Sequence, residues 1–423
     1  MNAKPQSLME PITTSQPKAG TNSRVFKLWG ASAATNLADG IFQVALSLLA
    51  VRLTRSPEAV AGVLLAARLP WLLLALHAGV IADRADRLRV LISTSLGRVI
   101  LIGGLALLTL LSLQHIVVLY VVAFGLGVVE TLFDTSVHSL LPMVVTPDRL
   151  ERANSYMQSA ELLMLQFIGP PLGGLLAGIA IWLACGTSAS IYLAAVLLLL
   201  WVGGRYRPAT RGTARKTVSR EIQEGISFLW HHRLLRTLAL TTGGLNIAFA
   251  AVMAVLPLYA VSPGPMKLSS IEYGLLLAAP GIGGLVAALL TTRIESWIGP
   301  GRLLCISVIE LSLGFLIPAL TTNSLIVAGG LILTGTTVFW NIVTVSLRQR
   351  IVPDHVLGRV NASYRLCAYG ALPVGASLGG FVGHVWGLPA VFVLSSALAA
   401  ITLVPIVVLT RSGALSTMRS EER

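Results

Sequence analysis

Long apolar runs alternate with short polar segments over almost the whole chain. Most of the runs are about twenty residues or longer, enough for a helix to cross a hydrocarbon layer of roughly 30 Å. Short loops join most of them, so consecutive spans should be antiparallel neighbours. The pattern predicts an all-α membrane protein with twelve transmembrane helices at about residues 27–51, 59–82, 90–112, 116–137, 155–183, 190–204, 235–261, 271–292, 303–320, 325–347, 366–386 and 389–410.

The lysines and arginines fall mainly on alternate loops. Of the 31, 25 lie on segments that share a side with the N-terminus, and only Arg52, Arg55 and Lys267 lie on the opposite loops. Cytoplasmic loops are enriched in lysine and arginine. The bias therefore predicts a multi-pass protein of the bacterial cytoplasmic (inner) membrane, with both termini in the cytoplasm.

Composition supports the membrane assignment. Charged residues make up 12% of the chain, against about 25% in soluble proteins. The formal charge of +13 lies mostly on the predicted cytoplasmic loops, so it requires no nucleic-acid partner. The three cysteines and seven histidines do not show metal-ligand spacing. The sequence therefore predicts no metal site and no cofactor.

The polar segments divide the chain. Val218, Ile222, Ile226 and Leu229 recur at helical spacing in the only long loop, which predicts an amphipathic helix at the cytoplasmic surface. A simple tether between two halves is compatible with this reading. The expected organisation is a disordered cytoplasmic tail at 1–26, a six-helix bundle at 27–204, a linker at 205–234, a second six-helix bundle at 235–410 and a cytoplasmic tail at 411–423.

The two bundles look duplicated. The Pro-Asp pair at 147–148 recurs at 353–354, and the glycine-rich stretch at 169–174 recurs at 375–380, both with a shift of 206 residues. A common shift of about half the chain implies two homologous bundles around a central path, as in many secondary transporters.

A loop motif between spans 2 and 3 reads Gly79-Val-Ile-Ala-Asp83-Arg84-Ala-Asp86-Arg87. It resembles the glycine-x-x-x-aspartate-arginine-x-glycine-arginine loop of major facilitator superfamily transporters, and the resemblance covers the twelve-span pattern. Asp86 stands where glycine is usual, a variant similar to the branch of enterobactin exporters and macrolide efflux proteins. The resemblance implies the major facilitator fold, with two pseudo-symmetric six-helix bundles.

The resemblance also implies a gate. In the family the aspartate equivalent to Asp83 contacts the start of span 11, which here lies near Arg365, in one gate state. The positive end of a helix stabilises a carboxylate by about 0.3–1 kcal/mol. Asp134, near the end of span 4, is a candidate partner for Arg84 or Arg87. Alternatively, these charges only determine topology. The expected gate residues of this loop region are Gly79, Asp83, Arg84, Arg87 and Asp134.

A second motif, in span 5, reads Gly169-Pro170-Pro-Leu-Gly173-Gly174. It resembles the glycine-proline-x-x-glycine-glycine core of the superfamily's antiporter motif. Leu165 stands where an upstream glycine of that motif is expected. Glycines allow close helix contacts in lipid, and proline loosens the helix backbone. The motif implies an exporter, while generic helix packing explains it equally well. Its conformational candidates are Gly169, Pro170, Gly173 and Gly174.

Ionisable residues within spans form the third group of candidates. A charge at the bilayer centre costs about 2.5–3.5 kcal/mol, so it usually has a partner or a function. Asp39 and Arg68 lie near mid-depth in spans 1 and 2, and we expect an ion pair between them, either structural or part of proton transfer. Glu161 in span 5 is a further acidic candidate. The residues considered for proton coupling are Asp39, Arg68, Glu130 and Glu310.

The expected function is secondary active transport by alternating access, most simply proton-coupled efflux of a small amphipathic compound such as a drug or siderophore. The expected partners are that molecule, protons and the lipid bilayer, with the chain acting as a monomer. The sequence contains no phosphate-binding G-x-x-x-x-G-K-[ST] motif and no catalytic motif, so no enzyme is predicted. An importer or lysophospholipid flippase of the same fold is the alternative, and a non-transporting receptor or membrane enzyme is the remote one.

Overall fold

A computed structural model describes residues 21–145, 150–204, 206 and 218–412. In this part of the chain, twelve segments are long and apolar enough to cross a membrane, in agreement with the predicted number. A π-helical segment, Glu161–Ile168, joins α5 to α6. The α-helices are α1 Thr21–Leu53, α2 Pro57–Arg84, α3 Arg87–Leu110, α4 Ile116–Val144, α5 Leu150–Ala160, α6 Gly169–Ile179, α7 Ile181–Val202, α8 Val218–His231, α9 Arg233–Ala260, α10 Ser270–Ile298, α11 Pro300–Leu320, α12 Ser324–Gly335, α13 Thr337–Ile351, α14 Asp354–Val385, α15 Leu388–Ile401 and α16 Leu403–Arg411.

The two halves pack their helices in the same order. In the first half α1 contacts α7 and α6, while α2 contacts α4 and α3 contacts both α4 and α7. In the second half α9 contacts α15 and α14, α10 contacts α12, and α11 contacts both α12 and α15. These pairs correspond one to one when spans 1–6 are matched to spans 7–12. The fold is therefore two pseudo-symmetric six-helix bundles.

Some span boundaries differ from the prediction. The sixth span begins at Ile181 rather than near residue 190, because extended Ala180 breaks the helix inside a continuous apolar run. Hydropathy cannot detect a break that carries no polar residue. The eleventh span begins at Asp354 rather than near residue 366, because its first three turns are polar and still helical. Hydropathy identifies the apolar part of a transmembrane helix and does not detect polar turns that continue the same helix.

The repeated glycine stretch packs equivalently in both halves. A Cβ atom on Gly173 would lie 2.6 Å from the Ile41 carbonyl oxygen of α1. A Cβ atom on Gly379 would lie 2.5 Å from the Ala251 carbonyl oxygen of α9. The glycines thus bring the fifth and eleventh spans into backbone contact with the first span of their own half. The internal duplication is visible in packing as well as in sequence.

Two seams join the halves. On one, Gly174 of α6 lies against the backbone of Gly274 in α10. On the other, a Cβ atom on Gly380 of α14 would lie 2.7 Å from the Ala61 Cβ of α2. Arg55, in the loop after α1, donates to the Ser262 carbonyl oxygen in the loop after α9 at 3.1 Å. The halves are therefore packed together at the end of the molecule that carries these two loops.

Helix α8 lies in the segment between the halves and docks on the second half. Its Glu224 forms a 2.6 Å ion pair with Arg359 of α14. A Cβ atom on Gly225 would lie 2.5 Å from the Arg359 carbonyl oxygen, so the two helices touch closely there. Leu229 is buried, as the amphipathic pattern predicts. Ile226 is 40% exposed, because the face of α8 that packs on α14 carries its neighbour Gly225. Residues 207–217 and both expected tails, apart from residues near their inner ends, lie outside the described part.

Candidate functional site

A cavity of about 230 Å³ lies between the two halves. The first half lines it with helices α1 to α4 and the π-helical segment, and the second half lines it with α9 and α10. All charged lining residues come from the first half, and the second half contributes an apolar and aromatic wall. The charged residues are Asp39, Arg68, Arg98 and Glu130, and the wall comprises Met253, Ala254, Pro257, Tyr273 and Leu277.

Arg98 of α3 organises the buried part of this cluster. It is 3% exposed, and its Nη1 lies 3.6 Å from Asp39 Oδ2. Its guanidinium group lies 4.7 Å from the ring centre of Phe133 and 5.4 Å from that of Tyr192. The Tyr192 hydroxyl donates a hydrogen bond to Asp39 Oδ1. An ion pair with added hydrogen bonds and ring contacts can offset the cost of burying the charge.

Arg68 forms the second ion pair, with Glu130 of α4, at 3.2 Å. The side chains are 35% and 36% exposed, so this pair opens onto the cavity. The predicted pairing of Asp39 with Arg68 is therefore wrong. Helix α2 packs on α4, which places Arg68 opposite Glu130, while Arg98 reaches Asp39 from α3 inside the bundle.

Two further carboxyl groups lie within electrostatic range of these pairs. Asp134 is one turn beyond Glu130 on α4 and interacts with Arg98. Glu161, at the start of the π-helical segment, is exposed and interacts with Asp39. The cluster thus holds four carboxyl groups and two guanidinium groups. The suggested pairing of Asp134 with Arg84 or Arg87 stays a prediction.

The remaining coupling candidate, Glu310, lies apart from this cluster. It belongs to α11, which packs against α12 and α15 in the second half, and it does not line the cavity. Among the described residues, its Oε2 atom is buried without a hydrogen-bond partner. The sequence placed Glu310 at membrane depth, but it could not show which helix face carries it.

The glycine motif of span 5 contacts helix α1 at Gly40, the residue after Asp39. A Cβ atom on Gly40, the next residue in α1, would lie 2.7 Å from the Leu165 carbonyl oxygen and 2.9 Å from Gly169 Cα. On the other side of span 5, the Pro170 carbonyl lies against Gly274 of α10 in the second half. The motif therefore contacts both the helix that carries Asp39 and the seam between the halves. The π-helical segment in this position is typical of functional sites.

The loop motif between spans 2 and 3 is only partly described. Helix α2 continues to Arg84 and α3 begins at Arg87, so the motif comprises the end of α2, a tight turn at residues 85–86 and the first residue of α3. The side chains of Gly79, Asp83 and Arg84 lie outside the described residues. Arg87 donates to the Met143 sulfur atom at 3.0 Å, which links this turn to the end of α4.

Asp86, the departure from the family motif, has a structural role that sequence reasoning missed. It is the N-cap of α3, and its Oδ1 atom accepts from the backbone N–H groups of Leu88 and Arg89 at 3.1 and 3.3 Å. Its Oδ2 atom accepts from the Tyr206 N–H group at 3.2 Å. Asp86 therefore ties the turn to the segment that follows α7. The helix-start preference for aspartate was the signal that could have identified it.

The second half holds a different polar network. The Trp340 indole N–H donates to the Thr242 hydroxyl at 2.9 Å, and that hydroxyl lies 2.5 Å from the Tyr364 hydroxyl. Arg348 is 8% exposed, lies 3.7 Å from the Tyr364 ring centre and donates to Asn361 at 3.1 Å. This network contains no carboxylate among the described residues. The first half therefore balances its buried arginine with a carboxylate, whereas the second half surrounds its buried arginine with an amide and an aromatic ring.

Arg98 and Tyr192 are the main residues that sequence reasoning missed. An arginine in the middle of span 3 meets the same cost criterion that identified Asp39 and Arg68, so Arg98 could have been found. Tyr192 carries no comparable signal, because a tyrosine is common in membrane spans. Only the contact between α1 and α7 brings its hydroxyl to Asp39.

Comparison with known proteins decides the family. The family described as transmembrane secretion effector, of the major facilitator type, matches residues 15–422. The chain belongs to this family. It is 29% identical over 380 residues to the multidrug efflux pump Tap of Mycolicibacterium fortuitum, covering 85% of this chain and 88% of that protein. It is 26% identical over 314 residues to the enterobactin exporter EntS of Citrobacter koseri, covering 72% of each.

Solved structures of transporters share the fold. A point mutant of the nucleoside transporter NupG superposes with a TM-score of 0.76 at 10% identity, covering 91% of this chain and 99% of that one. A bacterial homologue of the iron transporter ferroportin superposes with a TM-score of 0.70 at 17% identity, covering 93% and 99%. Sequence identities this low show only that the fold is shared. The chain is a multi-pass transporter of the major facilitator fold.

Proposed function

We propose that this transporter is a secondary active exporter of small amphipathic molecules. The observation that carries the proposal is the asymmetric cavity, with two ion pairs on one side and an apolar wall on the other. An amphipathic molecule fits such a cavity because its apolar body can pack on the wall while its polar groups face the charges. The efflux functions named for Tap and EntS support the export direction. The proposal includes no enzymatic step and no cofactor, and the working unit is a monomer.

Alternating access is supported by the seams between the halves. The glycines at 169–174 and 375–380 permit backbone contacts that can slide or separate in lipid. Span 5 touches α10 on one side and Gly40 of α1 on the other. Rocking of the halves would therefore slide span 5 along α10, while span 5 also touches Gly40, which adjoins Asp39. This is the proposed mechanical link between the seam and the charged cluster.

Protons are the proposed driving ion. Four carboxyl groups share the first-half cluster with two guanidinium groups, so ion pairs cannot balance all of them. Neighbouring carboxyl groups disfavour simultaneous ionisation, so such a cluster can take up and release protons as water reaches it from alternate sides. Asp39 is the proposed carrier, with Arg68 and Glu130 as the pair that faces the cavity.

The test of export is the accumulation of a compound panel by cells with and without the gene, in the presence and absence of a protonophore. We expect lower accumulation of at least one amphipathic compound in expressing cells, and we expect the protonophore to abolish the difference. Higher accumulation would indicate an importer, and accelerated movement of lysophospholipid between leaflets would indicate a flippase. No difference across a broad panel would contradict transport of such compounds.

The test of the proton carrier is Asp39→Asn. We expect this variant to lose uphill transport driven by a proton gradient while each folded molecule retains some downhill flux. A purely structural role predicts a lower yield of folded protein instead, because Arg98 would lose its buried carboxylate partner. Normal uphill transport would exclude Asp39 as the carrier, and Glu130 and Glu310 would be tested next.

The turn between α2 and α3 is the proposed cytoplasmic gate, with Gly79, Asp83, Arg84, Arg87 and Asp134 as its residues. Support comes from the position of Asp83 at the end of α2 and from the family motif. We expect Asp83→Asn to lower transport strongly at normal abundance. Unchanged transport kinetics would reduce Asp83 to a determinant of topology.

The proposed location is the bacterial inner membrane, with both termini and the linker in the cytoplasm. The uneven distribution of lysine and arginine supports this orientation. A cysteine introduced by Thr213→Cys should resist a membrane-impermeant thiol reagent in intact cells and react in inverted vesicles. With this orientation the packed end of the molecule is periplasmic. Labelling in intact cells would reverse the topology.

A further inference from the structure

Arg365 is a charged residue about one third of the way along the eleventh membrane span. It lies roughly 16 Å along the axis of α14 from Asp354, inside the candidate span Val356–Val385. Its side chain is exposed rather than packed in the bundle. The guanidinium carbon lies 5.6 Å from the ring centres of both Trp71 and Tyr369. These two rings are themselves 5.2 Å apart, so the three groups form a compact triangle across the α2–α14 seam.

Within the part of the chain whose side chains the structure describes, no carboxylate pairs with this charge. Among the described residues, Arg365 forms no ion pair, whereas both arginines of the cavity cluster do. An unpaired guanidinium that faced hydrocarbon at this depth would be costly, so the group is expected to face the aqueous path. The position of Trp71 supports this direction. Trp71 lies one helical turn after Ala67 and Arg68, which line the cavity, and therefore shares their face of α2.

Arg348 of α13 is a second arginine near Arg365, close enough for the two positive charges to repel each other. Its Nε atom donates to Asn361. Within the described part of the chain, its buried Nη1 atom has no hydrogen-bond partner. The two arginines thus create a region of positive potential on the second half.

We infer that Arg365, together with Trp71 and Tyr369, is a binding subsite for an anionic group of the transported molecule. The rings cover one side of the guanidinium and leave N–H donors at its edge, which match a carboxylate in bidentate geometry. The ligand class is a carboxylate or similar acidic group attached to an aromatic or apolar body. Arg348 strengthens the subsite through its charge. This inference rests on the proposed transport of amphipathic molecules and names one chemical feature of the substrate.

The test compares two dyes that differ only in this feature. Rhodamine B carries a cationic ring system and a free carboxylate, and rhodamine B ethyl ester has the same ring system with the carboxylate blocked. Their dissociation constants are measured by fluorescence anisotropy with the purified full-length chain in detergent. We expect the wild-type protein to bind rhodamine B about tenfold more tightly than the ester, as a charge-assisted pair allows.

The matched variants are Arg365→Gln and Arg302→Gln, the latter an exposed arginine at the start of α11. We expect Arg365→Gln to lose the preference for the free carboxylate and Arg302→Gln to retain it. If Arg365→Gln fails to fold, competition on the wild-type protein decides the question. Benzoate should then displace rhodamine B but not its ester, and benzylamine should not mimic benzoate.

The inference is overturned if the wild-type protein shows no carboxylate preference, or if Arg365→Gln keeps it. An anionic lipid headgroup could occupy the same site, so native mass spectrometry is run with added phosphatidylglycerol. Retention of this lipid by the wild type but not by Arg365→Gln, without a dye preference, assigns the site to lipid and overturns the substrate subsite. A dye preference without protonophore-sensitive export would contradict the proposed function and leave the subsite standing.

Discussion

The two halves of this transporter share their helix packing but not their charge chemistry. In the first half, Arg98 pairs with Asp39 and Arg68 pairs with Glu130. In the second half, Arg348 and Arg365 contact aromatic rings and an amide, with no carboxylate among the described residues. The glycines that set helix contacts, by contrast, occupy equivalent positions in both halves.

This difference separates two kinds of constraint. Close helix packing in lipid depends on small residues at fixed positions, so a duplicated scaffold needs the same glycines in each copy. The charged residues, by contrast, depend on what the cavity binds, so it is enough for one of the two halves to carry them. The first half therefore carries the ion-paired cluster that we propose handles protons, and the second half carries the apolar and aromatic wall of the cavity.

The largest expected effect comes from removing an arginine that pairs with a carboxylate in the first half. Arg98→Ala removes the ion-pair partner of Asp39 and leaves its hydrogen bond from Tyr192. We expect the free energy of unfolding to fall by about 3 kcal/mol, the lower end for breaking a buried pair, because Asp39 opens onto the cavity. Arg348→Ala leaves no carboxylate behind and should cost less, about 1–2 kcal/mol. Thermal unfolding of the purified variants measures both, and equal losses would contradict the contrast.

The next effect tests the shared scaffold. Gly174→Ala and Gly380→Ala each place a methyl group against the opposite half, and we expect each to destabilise the packed state by about 2 kcal/mol. Gly104→Ala is the matched control, since nothing lies within 4 Å of the added carbon. Unfolding temperatures of the three variants give the comparison. A large loss at only one seam would show that the seams are not equivalent.

A smaller effect separates cavity carboxylates from others at membrane depth. Glu130→Gln removes the partner of Arg68, and we expect transport to fall about tenfold, or roughly 1.4 kcal/mol, with normal abundance. Glu310→Gln should change transport little, because Glu310 does not line the cavity. Initial rates of energised uptake into inverted vesicles measure both. The opposite ranking would move proton coupling to the second half.

The smallest effect concerns the linker. Glu224→Gln removes the ion pair with Arg359 while the close contact at Gly225 remains. A partly exposed pair contributes about 0.2–1 kcal/mol, so we expect only a slight change in unfolding temperature and transport. Gly225→Val should have the larger effect, because it pushes α8 away from α14. If Glu224→Gln has the greater effect, charge rather than packing holds α8 in place.

The sequence by itself determined the spans, the two halves and the repeated glycine stretch. Each of these depends on a local signal: twenty-residue hydropathy, the positions of lysine and arginine, or a small-residue pattern repeated after 206 residues. It also identified Asp39, Arg68 and Glu130 as costly residues within spans. Such signals need no knowledge of which helices are neighbours.

Only the tertiary structure decided which charges meet. Arg98 rather than Arg68 pairs with Asp39, because the rotation of α3 and the packing of α2 on α4 set the distances. Likewise, Trp71 of α2 meets Arg365 of α14 only across the seam between the halves. Partners far apart in the chain are chosen by helix rotation and crossing. Those depend on the summed packing of many side chains, which no local pattern encodes.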